Sequence, residues 1–220
     1  MIAAHDSFTY LKSEDPLSEM FSFFWRCQAR SIRELYDLGI RFFDIRIVRN
    51  MKRGYINKFI LHKEDIPTWS IAHGVAEIKD KELYSLSATK FYTIEGICNY
   101  FELAFPEAKY RIMLERDSKR YKNQFIEEIT GLEKHYKNLL WYGIKHPWEE
   151  LYKSKEYPQV EVDYICHPFN WDFEQPLMYN IKNFNFDINI KNYARKNNPE
   201  ITQEMKDDPD ILFWMDHIYC

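Results

Sequence analysis

The chain has 220 residues, 45% hydrophobic and 29% charged, which is enough for one domain with a large core. A formal net charge of −4 and the lack of a long basic block exclude general electrostatic attraction to nucleic acid. No apolar run reaches the roughly 20 residues that cross a bilayer, and no charged start leads into an apolar h-region, so membrane contact is expected to be peripheral and no signal peptide is visible.

In chain order, Ile2–His5 reads as a short strand, and Ser18–Leu38 has helical spacing that stops at Gly39. Ile40–Val48 is rich in strong β formers, and Lys58–His62 and Trp69–His73 read as further strands. Thr93 is placed to cap an amphipathic helix over Ile94–Phe105, which Pro106 stops. Tyr110–Leu114 reads as a strand, Ser118–Lys137 as a helix with i,i+4 charge pairs, and Asn138–Tyr142 as a strand. Further on, Glu149–Lys153 looks helical, Val160–Cys166 extended, Asn189–Arg195 helical and Ile211–Met215 extended. Alternation of strand and helix predicts an α/β fold with a parallel sheet.

Polar residues gather where the apolar runs stop. His5 and Asp6 follow the first run, Asp44 and Arg46 lie in GIRFFDIR (Gly39 to Arg46), and His73 follows Trp69–Ala72. Barrel strands present catalytic groups in this way at their carboxyl ends, so a TIM-like (β/α) barrel, short and irregular, is expected over residues 1–220. Asp44 and Arg46 are two apart and share one face of a strand. A carboxylate, a guanidinium and two imidazoles suit a phosphate ester better than a carbonyl. The four cysteines show neither CxxC spacing nor a His/Cys cluster, so no zinc site or disulfide framework is expected, and Cys27 and Cys98 read as buried thiols in helical patterns.

Four motifs carry a resemblance: AHDSFTY (Ala4 to Tyr10), WRCQ (Trp25 to Gln28) with Ser31-Ile32, GIRFFDIR, and IAHG (Ile71 to Gly74). In order and interval they resemble the X domain of phosphatidylinositol-specific phospholipases C. Calcium-dependent members of that family carry acidic residues at both positions of the second-strand pair, whereas here the second is Arg46. The chain therefore looks like the metal-independent, bacterial-type branch, with no cofactor and no metal. The relatives of this barrel that use a Glu-x-Asp-type pair, such as glycerophosphodiester phosphodiesterases, bind a divalent ion there.

The resemblance implies a phosphodiesterase, a phosphoric diester hydrolase or lyase, that cleaves phosphatidylinositol-type lipid to diacylglycerol and inositol 1,2-cyclic phosphate. His5 would be the general base and Arg46 the phosphate-binding cation, with Asp44 fixing the guanidinium. His73 would be the general acid, held by Asp6. Asp216, in the closing run FWMD, would orient His5 or else be a surface carboxylate. Glu115, Arg116 and Asp117 follow a strand where the family binds inositol, and the sequence does not decide which of them points inward. Asp163 and Tyr164 end another strand and would either contact the sugar or face solvent. Met20, Phe21 and Phe23 form a candidate membrane rim, against the alternative of core packing. A monomer is expected, cytoplasmic or a processed secreted domain, whose partners are the lipid substrate and a transient membrane surface. Two other readings stand beside this one: a metal-dependent phosphodiesterase acting on another head group, and a non-catalytic inositide-binding module.

Overall fold

A computed structural model describes residues 1–11, 26–49, 69–73, 76–78, 93–115, 118–145, 150–165 and 189–218. Nine strands form one sheet: β1 (Ile2–Ala4), β2 (Phe42–Arg49), β3 (Trp69–His73), β4 (Ala76–Ile78), β5 (Lys109–Leu114), β6 (Leu139–Ile144), β7 (Glu150–Lys153), β8 (Val160–Tyr164) and β9 (Ile211–Met215). The helices are α1 (Ile32–Asp37), α2 (Ile94–Ala104), α3 (Ser118–Thr130), α4 (Ile190–Asn197) and α5 (Gln203–Asp207).

The strand order is β7-β6-β5-β2-β1-β9-β8, and every ladder from β6 across to β8 is parallel. β7 runs antiparallel on β6, and β3 and β4 extend antiparallel from the carboxyl half of β2. Helices lie between successive parallel strands, as in β5-α3-β6, because a parallel pair needs a crossover. The helices pack on one face of the sheet, and all eight residues of β2 are buried.

Alternation divides the strand side chains into two cores. Phe43, Ile45, Ile47, Tyr110, Ile112, Leu114 and Met215 pack with the helices through Leu35, Ile97, Phe101 and Phe125. Ala3, Phe42, Met113, Trp141, Tyr157 and Trp214 form a second cluster on the other face. Trp141 on β6 and Trp214 on β9 are four inter-strand steps apart, about 19 Å on a flat sheet at ~4.8 Å per step. Their ring centroids lie 6.3 Å apart, so the sheet is curled and this second face is its inside.

The expected α/β class is present, and in place of a closed TIM-like barrel the described seven-strand path curls into a half-barrel. Among the described residues no ladder joins β7 to β8. Their facing side chains meet instead, through the Lys153–Glu161 ion pair and the Lys153 ammonium 4.2 Å from the Tyr157 ring centroid.

Most expected elements are present. Thr93 Oγ1 accepts from Gly96 N at the start of α2, and Gly39, at φ +90°, ends α1. Two expectations are corrected. Glu150–Lys153 is a strand, because pairing with β6 outweighs the helical spacing of Glu149–Lys153. Of the helix expected over Ser18–Leu38, residues 18–25 lie outside the described residues; among the described ones, 26–28 belong to no helix and Ile32–Asp37 is helical, begun by a capping box between Ser31 and Glu34. Cys27 is accordingly a buried thiol outside any helix. Lys58–His62 lies outside the described residues.

Candidate active site

The carboxyl ends of β1, β2, β5, β6 and β9 open on one mouth. β1 puts Ala3 on the inner face, so His5 follows there two residues on. β2 likewise turns Phe42, Asp44 and Arg46 inward, β5 turns Arg111, Met113 and Glu115 inward, and β9 is continued by Asp216. The ladders set these residues side by side: Asp44 pairs with Arg111, and Ala4 with Met215.

His5 is the hub. Its Nδ1 lies 2.7 Å from Asp216 Oδ1, and its Nε2 meets Arg46 Nη2. A guanidinium offers only donors, so Nε2 must present its lone pair and Nδ1–H must donate to Asp216. The arrangement fixes a neutral imidazole in one tautomer. Gln28 ties the two strand ends beneath it, donating through Nε2 to His5 O at 3.1 Å and to Met215 O at 2.9 Å. Asn198 Nδ2 donates to Asp216 O at 2.7 Å.

Arg46, 5% exposed, fills the centre. Its Nε donates to Asp44 Oδ2 at 3.0 Å and its Nη1 to Glu115 Oε2 at 3.2 Å. Asp44 Oδ1 accepts from Arg111 Nε at 2.5 Å, and Glu115 Oε1 accepts from Lys145 Nζ at 3.0 Å. Asp6 occupies the left-handed region at φ 45°, which lets its N–H donate to Asp44 Oδ2 at 3.1 Å. Thr9 Oγ1 donates to Asp6 O at 2.7 Å and holds that turn.

Electrostatics separate the carboxyls. Burial pushes Asp44 up, but the Arg111 and Arg46 guanidiniums outweigh it and hold the group well below the ordinary carboxylate range. Asp6 goes the other way: burial raises it, Arg46 opposes, and Asp44 and Glu115 reinforce the rise. Burial works against the Arg46 cation, yet Glu115, Asp44 and Asp6 together hold its proton more firmly than usual. Two neighbouring carboxyls pushed in opposite directions are a feature of sites that handle protons.

His5, Cys27 and Asp216 are the described side chains whose donor atoms come within metal-bridging reach, all within 4.8 Å. They fit a metal poorly. His5 Nδ1–H is engaged by Asp216, and burial, with Asp216 and Asp6, pushes the Cys27 thiol up, away from the thiolate a metal requires.

Six expected site residues thus come together: His5, Asp6, Asp44, Arg46, Glu115 and Asp216. Asp216 is no surface carboxylate but a fully buried partner of His5. Glu115 is buried and meets Arg46, while Arg116 and Asp117 lie outside the described residues. At β8 one expectation is corrected and one open alternative is resolved. Tyr164 pairs with Met215 and packs on the outer core, turned away from the mouth. Asp163 lies exposed on the edge strand and accepts from Ile165 N at 2.6 Å. His73 ends β3, and its side chain lies outside the described part, as do Met20, Phe21 and Phe23. Sequence reasoning did not single out Arg111, Lys145, Gln28 or Asn198 as parts of this network. For Arg111 and Lys145 a signal existed, since a charged residue at inward parity on a buried strand needs a partner. The chain matches no protein family model, no curated protein and no solved structure.

Proposed function

We propose that this protein is a metal-independent phosphodiesterase of the phosphatidylinositol phospholipase C type. One observation supports the reading above the others: a neutral His5 fixed by Asp216, with its lone pair against a buried guanidinium. A base and a phosphate-binding cation then lie within one hydrogen bond of each other, which transfer within a phosphodiester requires.

The substrate phosphate takes Arg46 Nη2 from His5, because an anion binds a guanidinium more strongly than a neutral imidazole does. His5 Nε2 then accepts the proton of the inositol 2-hydroxyl as its oxygen attacks phosphorus. The bond from phosphorus to the diacylglycerol oxygen breaks, and His73, as imidazolium, gives that oxygen its proton. The products are diacylglycerol and inositol 1,2-cyclic phosphate. Arg46 stabilises charge gathering on the non-bridging oxygens, the work a divalent ion does in metal-dependent relatives of this chemistry. Asp216 stabilises the imidazolium that His5 becomes.

Phosphorus NMR of phosphatidylinositol vesicles, with and without EDTA, tests the proposal. The expected result is a cyclic phosphodiester signal that survives chelation and vanishes in His5→Ala. Metal-dependent turnover overturns the metal-independent mechanism, and vesicle binding without product replaces the enzyme by a binding module.

A further inference from the structure

Arg46 lies between two carboxylates, and behind each carboxylate lies a second cation. Behind Glu115 is Lys145, with its side chain 26% exposed at the mouth. Behind Asp44 is Arg111, which is 5% exposed and one residue layer deeper than Arg46. The Arg111 guanidinium carbon lies 3.5 Å from the Trp214 ring centroid and 4.1 Å from that of Trp141. The inner cluster around these indoles also holds Phe42, Met113 and Tyr157. Taking a guanidinium out of water opposes folding, and a Met or Leu would fill the same space without that penalty. What the apolar residue could not supply is the donor at 2.5 Å from Asp44 Oδ1.

We infer that Arg111 is a positioning residue that neutralises Asp44 from beneath and thereby leaves Arg46 with net positive charge for an anionic phosphodiester. The inference rests on the function proposed above. Arg46 with Asp44 and Glu115 alone sums to one negative charge, which would repel such a substrate. Arg111 and Lys145 raise that sum by two, to one positive charge around Arg46, with the Asp216 carboxylate lying beyond His5. Arg111 also divides the two oxygens of Asp44: Oδ1 goes to Arg111, and Oδ2 to Arg46 Nε and Asp6 N. Without it both oxygens would turn toward Arg46 and hold it back from the ligand. The indole pair fixes the guanidinium plane, so that Nε meets Asp44 in a single orientation.

The groups facing Asp44 are His5 and Asp6 at the end of β1, Arg46 on β2, Arg111 on β5 and Tyr157 in the β7–β8 connection. Of these, Arg111 and Arg46 are the cations that hold its carboxyl low against burial.

The test is a double-mutant cycle in the full chain: Arg111→Met, Asp44→Asn, both together, and Arg111→Lys. Turnover of phosphatidylinositol vesicles and urea unfolding from pH 2 to 8 are read for each. Arg111→Met is expected to lower kcat/KM by roughly 10- to 100-fold, mainly through KM. With the Asp44 carboxyl held less low, the part of the acid loss of stability that comes from this group should shrink. In the Asp44→Asn background the same substitution should change neither quantity further, and Arg111→Lys should keep the wild-type acid limb.

Equal losses from Arg111→Met with and without the Asp44 carboxylate would mean mere packing on the indoles and overturn the inference. An acid limb that moves in Arg111→Lys also overturns it, and this arm still decides if Arg111→Met does not fold. Absence of turnover in the wild-type chain rejects the proposed function, while the unfolding cycle continues to decide the role of Arg111.

Discussion

Asp216 Oδ1 lies 2.7 Å from His5 Nδ1, joining two side chains 211 residues apart in the chain. The carboxylate fixes which ring nitrogen carries the proton, and so which one can act as base. Asp216→Asn can present its amide N–H to the same nitrogen and stabilise the opposite tautomer. The expected outcome is a loss of about 10²- to 10⁴-fold in kcat at nearly unchanged KM, measured as initial rates on phosphatidylinositol vesicles.

Arg46 is matched to two carboxylates by geometry as well as by charge. A lysine would keep the charge and lose the fork that reaches Asp44, Glu115 and the ligand together. Arg46→Lys should lower kcat/KM by roughly 10²- to 10³-fold, with the fold intact by circular dichroism. Arg46→Met takes the guanidinium donor from both Asp44 Oδ2 and Glu115 Oε2 in a buried site, and urea unfolding should show a loss of about 3–5 kcal/mol.

Asp6 and Asp44 have opposite pH signatures. The folded-state pKa of Asp44 is depressed, so its contribution to stability is present above the unfolded carboxylate value and is lost as pH falls toward the folded one. The folded-state pKa of Asp6 is raised, so its favourable contribution is present at acid pH and is lost as pH rises through that value. Asp6→Asn keeps a residue that tolerates φ 45° and removes the titration. Stability of this variant relative to wild type should improve from pH 5 to pH 8, by about 1 kcal/mol or more, while activity falls. A flat difference across that range would contradict the assignment.

His217 is a second buried imidazole, at φ 44°, with its ring Nε2 2.7 Å from Arg26 O and its backbone N–H bonded to Cys27 O. Burial lowers its pKa to about 4, against an ordinary 6.5. The folded state therefore takes up its proton later than the unfolded chain, and stability is lost as pH falls from 6.5 toward 4. His217→Asn, which suits the same backbone, should remove up to roughly 3 kcal/mol of this acid sensitivity. Unfolding free energies at pH 7, 5.5 and 4.5 read the difference.

The core of the site could be read from the sequence because strand parity does the sorting. His5, Asp44, Arg46 and Asp216 each follow apolar residues at a spacing that leaves them on the inner face. The same rule works against β8, where Asp163 and Tyr164 are adjacent and cannot share a face, and where the edge position leaves Asp163 in solvent. Arg111 is hard to see because its partner lies on another strand, and only the ladder register sets Asp44 opposite it. The roles of Gln28 and Asn198 depend on chain crossings that no local pattern encodes. Glu150–Lys153 shows the limit of periodicity: four residues carry too little pattern to overrule a waiting neighbour such as β6.

β1 is three residues long and holds the middle of the sheet, with β2 on one side and β9 on the other. Ile2 pairs with Phe213, so the second edge of β1 stays open until a strand far downstream in the chain has been made. Such long-range closure makes for slow assembly. Until it occurs the sheet exists as two unjoined parts, and the histidine that follows β1 has no carboxylate beside it. Synthesis and maturation of the mouth are therefore separate events in time.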